Sequence, residues 1–152
     1  MKFPGPTHPV LGFQRREEAK KFLTELQERV RKFGLELHPE KTRLIEFGRY
    51  AAERRGKRGE GKPETFNFLG CTHICGKNHA TGYFMVLRKT IGKRMAAKLK
   101  KTRQQLRARM HERTQDTTEW LQSVIRGYFR YHAVPRNEER LQAFRHEVLR
   151  MW

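Results

Sequence analysis

Cys71, His73, Cys75 and His79 are the side chains that most readily suggest chemistry, because thiolate and imidazole are zinc ligands and alternate residues of a strand share a face. Zinc sites draw ligand pairs from separated elements with turns between them, and Cys-x-His-x-Cys along one strand is poor geometry for a tetrahedron. The expectation is hairpin packing, with His73 satisfied by a hydrogen bond, and no metal ligand is assigned. Glu36, Glu40 and Glu46 fall among turn and strand positions without an apolar pocket the sequence can identify, and neither a Gly-x-Ser-x-Gly elbow nor a phosphate loop occurs. No catalytic residue is assigned.

The chemistry that remains is cationic. Among 152 residues, 34 Lys and Arg stand against 16 acids, a net charge of +18, while hydrophobic residues make up only 36%. Such a balance implies a polyanionic partner. The charge is also unevenly placed: Thr65 to His111 contains no Asp or Glu, yet Lys77, Arg88, Lys89, Lys93, Arg94, Lys98, Lys100, Lys101, Arg103, Arg107 and Arg109 fall there. A merely soluble surface would mix the signs. Phosphate contacts from this run would give affinity with little sequence choice. Arg126, Arg130 and His132 are candidates for a wet, nucleic-acid-facing surface, whereas Tyr128 and Tyr131 share helical spacing with Val124 and are expected in the core.

The elements that position these residues follow from periodicity. Residues 1–14, with Pro4, Gly5, Pro6, Pro9 and Gly12, predict an extended lead-in. From Arg16 to Phe33, Ala19, Phe22, Leu23, Leu26, Val30 and Phe33 follow helical spacing, and Gly34 suits the left-handed residue that ends a helix. Leu35 and Leu37, then Leu44 to Phe47, predict two strands about the Pro39 turn. Gly48 to Pro63, charged and Gly-rich, predicts a mobile surface loop. Thr65 to Ile74 and Gly82 to Leu87 predict a hairpin joined by a longer turn.

After Thr90 the period is helical. Met95, Leu99, Leu106 and Met110 stripe a helix from Ile91 to Glu112. Asp116 and Glu119 predict a capping box for a second helix carrying Trp120, Leu121, Val124, Ile125, Tyr128 and Tyr131. Asn137 predicts the N-cap of a third, with Leu141, Phe144, Val148, Leu149 and Trp152 facing inward. The predicted fold is α+β: small antiparallel strands and one helix, then three helices. Cys71 and Cys75, four apart on one strand, are expected to be reduced, which points to the cytoplasm, and neither a signal peptide nor a membrane span is expected.

Side-chain identity adds a family likeness. Pro39-Glu40-Lys41-Thr42 and Phe68-Leu69-Gly70, in this order, resemble the end of the palm in group II intron reverse transcriptases, or maturases. Arg88-Lys89-Thr90, the basic helix, Arg107-Ala-Arg-Met-His111, Trp120-Leu121, Gly127-Tyr128, Tyr131-His132-Ala133-Val134-Pro135 and Phe144 resemble the thumb, or maturase-specific domain. The resemblance covers nearly the whole chain. It implies an extended lead-in at 1–14, a palm remnant at 15–90 and a three-helix, RNA-gripping thumb at 91–152.

It also implies a grip on the primer terminus at Phe68, Leu69 and Gly70, and a contact from Lys41, with Arg43 beside it, to nucleotide phosphates or template. In the family, the segment matching Val10-Leu11-Gly12-Phe13 is preceded by Tyr-Ala-Asp-Asp-Phe, whose aspartates hold the catalytic metal ions. Here Gly5, Pro6, Thr7, His8 and Pro9 stand in those places. Neutral Thr and His lack the charge and geometry for Mg²⁺. The expectation is an RNA-binding fragment, inactive alone as a polymerase and without a cofactor. The alternative is the C-terminal half of a split RNA-directed DNA polymerase, active only when a partner polypeptide supplies the fingers and aspartates and thereby completes a Mg²⁺ site.

Overall fold

The computed structural model describes residues 9–152; Gly5, Pro6, Thr7 and His8, set against the family's aspartates above, lie outside the described residues. The described chain is α+β, with five helices and a three-stranded antiparallel sheet, and it divides into two units, Met1–Glu46 and Phe47–Trp152. That division groups the sheet with the C-terminal helices.

In the first unit α1 spans Arg16–Arg31. It ends as its sequence predicts: Gly34 takes φ 69°, and the Leu35 amide donates back to the Val30 carbonyl at 3.2 Å, closing the last turn. Phe13 packs on Phe22 with ring centroids 5.2 Å apart, and Ala19 is the unit's buried hydrophobic residue. The two strands expected at Leu35 to Leu37 and Leu44 to Phe47 do not form. The Pro39 turn is present, with Lys41 and Thr42 amides bonded to the His38 carbonyl, but its flanks run without a ladder partner among the described residues. Alternation marks a segment as fit to be a strand, but only a neighbouring backbone makes it one.

The second unit opens with α2, Ala51–Lys57, where the sequence reading placed a mobile loop. Ala51, Ala52, Glu53, Arg54 and Arg55 are strong helix formers, and Glu53 pairs with Lys57 one turn on at 2.7 Å. Arg55 then ties down the glycine-rich segment by donating to the carbonyls of Glu60 (3.0 Å) and Lys62 (3.1 Å). Strands β1 (Phe66–Phe68), β2 (Cys71–Lys77) and β3 (Phe84–Thr90) follow, in sheet order β1-β2-β3. The single strand expected at Thr65 to Ile74 is therefore two, folded back at Leu69-Gly70. Phe68 pairs with Cys71, and the turn residues take φ 46° and 81°, the left-handed pair of a tight hairpin whose twist matches its strands.

Helices α3 (Gly92–Ala108), α4 (Thr114–His132) and α5 (Glu138–Leu149) pack around one core of Leu121, Tyr128, Leu141, Phe144 and Val148. Tyr128 and Phe144 stack with centroids 3.6 Å apart. Burying each such side chain contributes roughly 1.5–3 kcal/mol, so this core is the chief source of order in the chain. Several sequence expectations need correction here. α4 begins at Thr114, ahead of the expected Asp116 cap, and no side chain caps it. Its buried stripe is Thr117, Leu121, Tyr128 and His132, spaced four, seven and four, which turns Tyr131 out to 61% exposure and carries His132 in. On α3 the inward stripe is Met95, Leu99, Thr102 and Leu106; Met110, 73% exposed, lies past the helix end. Leu149 and Trp152, expected inward, are half exposed.

Asn137 does occupy the position before α5, but its side chain does not cap that helix. Fully buried, it accepts from the Thr90 amide (2.9 Å) and donates to the Thr90 hydroxyl (2.8 Å) and the His132 carbonyl (2.8 Å). One carboxamide thus joins the end of β3, the end of α4 and the start of α5.

Candidate nucleic-acid interface

α3 carries Lys93, Arg94, Lys98, Lys100, Lys101, Arg103 and Arg107 without a single acidic residue. At 100° per residue the inward stripe divides these cations into two flanks, Arg94, Lys98 and Lys101 on one side, Lys93, Lys100, Arg103 and Arg107 on the other. All except Lys98 are exposed, and Lys98 is half-buried. No partner carboxylate stands at helical spacing, so none of the cations is offset by the pairs that usually stabilise surface helices. Lys93 and Arg94 moreover sit in the first turn, where the helix dipole disfavours positive charge by some tenths of a kcal/mol each. Charge that works against its own helix suits a bound anion.

The Leu69-Gly70 turn abuts the start of this helix. The Ile91 amide donates to the Gly70 carbonyl at 3.1 Å. A Cβ placed on Gly70 would lie 3.2 Å from the Tyr131 ring, 3.4 Å from an Arg94 guanidinium nitrogen and 3.4 Å from the His132 ring, so glycine is required both by its φ and by this crowding. Leu69 is 72% exposed and holds φ 46°, a conformation that costs a non-glycine residue roughly 1 kcal/mol or more. An apolar, strained residue at a turn tip, beside exposed Tyr131 and Arg94, forms a small apolar lip on a cationic surface.

The other sequence candidates fall in different places. Phe68 is half-buried on the sheet face that also carries Phe66, Cys71, His73, Arg88 and Thr90. Lys89 lies on the opposite face, 3.9 Å from Glu139, an exposed pair worth little but enough to lessen its claim as a phosphate contact. Lys77, at the far end of β2, and Arg126 and Arg130 on α4 are exposed. Arg109 is held by Glu112 at 2.6 Å and lies over the Trp120 ring at 4.9 Å. Lys41 and Arg43 follow the Pro39 turn in the first unit.

His132, expected on the wet face, is buried against Tyr128 and Tyr131, with ring centroids at 4.4 and 4.7 Å. Burial lowers its pKa from the ordinary 6.5, and nearby Arg94 lowers it further. His73 stacks flat on Phe66 at 4.8 Å, and burial likewise lowers its pKa. Nδ1 of His73 and Nδ1 of His132 are both buried without partners, while a backbone hydrogen bond with Cys71 partly opposes the lowering at His73. Burial raises the Tyr128 pKa, and the Thr90 hydroxyl lies near enough to oppose this without forming a well-aligned bond to the phenol.

Cys71 and Cys75 are free thiols; burial raises the pKa of Cys71, which keeps it protonated and unreactive, and Cys75 lies against Gly48, whose amide is 3.4 Å from the sulfur. Among the described residues no group of three or more His, Cys, Asp or Glu is placed to hold a metal ion, and no helix is long and apolar enough to cross a membrane. Compared with known proteins, the chain matches no family model, no curated protein and no solved structure.

Proposed function

We propose that this protein binds structured RNA through α3, as the thumb of a group II intron maturase does, with the primer-grip-like Leu69-Gly70 lip beside it, and that alone it catalyses no polymerisation. The observation that carries this reading is the helix itself, seven cations with no acid, two of them set against the helix dipole. RNA rather than DNA rests on the likeness to the maturase thumb, and an exposed Leu and Tyr beside Arg suit unstacked bases. Contacts of this type give affinity and leave sequence choice to the shape of the RNA. Changing Lys98, Lys101, Arg103 and Arg107 together to Gln is expected to weaken binding to a structured intron-like RNA by at least tenfold in a gel-shift titration. Unchanged binding would remove α3 from the account.

A second reading, the C-terminal half of a split RNA-directed DNA polymerase, has one observation in its favour. Leu35 to Leu37 and Leu44 to Phe47 run without ladder partners among the described residues, and Phe33, Leu35 and Leu44 are exposed. Open backbone and apolar side chains of this kind fit completion by strands of another polypeptide. Primer extension that appears only on mixing with an aspartate-bearing fingers and palm polypeptide is the expected result, and its absence across several such partners would dismiss this reading.

A further inference from the structure

The end of the helical unit away from the sheet holds a cleft of about 280 Å³ between the C-terminal end of α3, the start of α4 and the residues that follow α5. Leu106, Met110, Met151 and Trp152 give it apolar walls, and Arg107, Arg109 and Glu112 line it as well. Met110 and Trp152 are 73% and 54% exposed, so two large apolar side chains face solvent at one place on a chain of net charge +18. The cleft is near the lower end of the size range for small-ligand sites.

The geometry points to this cleft as a pocket for one unpaired nucleobase of the RNA held along α3, an inference that rests on the RNA-binding reading above. Three features select a base. Trp152 offers a flat face for stacking, and the Met110 and Met151 thioethers are polarisable surfaces that pack well on aromatic rings. Arg107 has no acidic partner among the described residues and is free to meet the phosphate of the same nucleotide. Arg109 is fixed by Glu112 and Trp120, so it can line the pocket without losing conformational freedom on binding. Arg94, at the Gly70 turn, and Arg107 are thirteen residues apart on one helix, a separation of roughly 20 Å. At 100° per residue the two stand on opposite flanks of α3, so the cleft is served by the flank of Lys93, Lys100, Arg103 and Arg107, whose phosphate-tracking cations lead up to it.

The test compares a 12-nucleotide oligo(rA) with a strand of equal length lacking bases, at fixed salt, on the full chain. The wild type is expected to bind oligo(rA) about 5- to 100-fold more tightly than the abasic strand. Trp152→Ala should abolish most of that preference while leaving abasic binding and the thermal midpoint within error. Met110→Gln, at a well-exposed position, should do the same by setting a polar amide at the mouth without a change of charge. Wild-type binding of both strands with no effect of either variant would overturn the pocket and leave the RNA reading standing. No binding of any RNA by the wild type would end both. A wild-type dimer that Trp152→Ala converts to monomers would give the cleft to a second copy of the chain and likewise overturn the base.

Discussion

Asn137 shows how much of this molecule depends on single polar side chains. Replacing it by Ala takes their Asn137 partner from the buried Thr90 amide and hydroxyl, while the His132 carbonyl keeps the Val134 amide at 2.8 Å, and orphaned buried groups cost about 1–3 kcal/mol each. Asn137→Ala is therefore expected to lower unfolding stability by about 2–4 kcal/mol in urea titrations; a loss below half a kcal/mol would show that the three bonds do not hold the elements together. His132 and His73 make stability depend on pH. Both have native pKa values below the unfolded 6.5, so the unfolded chain binds the extra protons as pH falls. Stability is full above about pH 7 and declines as the pH drops through 6.5 towards the lowered native values, by at most about 1.4 kcal/mol per pH unit per group. Thermal midpoints should fall between pH 7.5 and 5.5, less steeply in His132→Phe than in the wild type. Equal slopes would show that His132 charges freely in the folded state.

At the scale of elements, the Leu69-Gly70 turn is the sharpest test of local rules. Asn tolerates the left-handed conformation that Leu69 is forced to adopt, so Leu69→Asn is expected to raise stability by about 0.5–1 kcal/mol. If the exposed leucine serves as a lip for RNA, the same substitution weakens binding; a variant both more stable and fully active would remove Leu69 from the interface. Gly70→Val, by contrast, forces a branched side chain into φ 81° and the Tyr131 ring, and should unfold the junction.

The sequence made the helices legible because their apolar stripes repeat at 3.6 residues, and it made α1's end legible because glycine past a helix has one dominant use. It did not show the turn at residues 69–70, since Leu is no turn signal and Phe66, Phe68, Cys71 and His73 read as alternating hydrophobics straight through it. It did not separate Tyr131 from His132 either, because adjacent residues differ by only 100° and the neighbouring helix decides which of them is covered. α2 was hidden by Gly56 within it and by Gly48, Gly59 and Gly61 around it. The basic face was legible, since charge without counter-charge needs no fold to be noticed; the cleft was not, because Met110, Met151 and Trp152 come together only when α3, α4 and α5 are packed.

Across the whole molecule, order is unevenly distributed between the two units. The helical core lies in Phe47–Trp152, while Met1–Glu46 buries Ala19 and leaves Phe33, Leu35 and Leu44 exposed. Hydrogen exchange on the full chain should therefore protect Leu121, Phe144 and Val148 amides far longer than any in α1. Equal protection would mean that the first unit is held by contacts of comparable strength. Net charge of +18 implies that association with any polyanion is fast and strongly dependent on salt, whatever the detailed fit.

The central claim is that α3 meets phosphates, and the most direct measurement is the binding constant for a structured RNA as a function of salt, for the wild type and the Lys98, Lys101, Arg103 and Arg107 to Gln variant. The log–log slope should be steep for the wild type and shallower in the variant by about 0.7–0.9 for each phosphate contact removed. Parallel slopes, with affinity unchanged, would contradict the account.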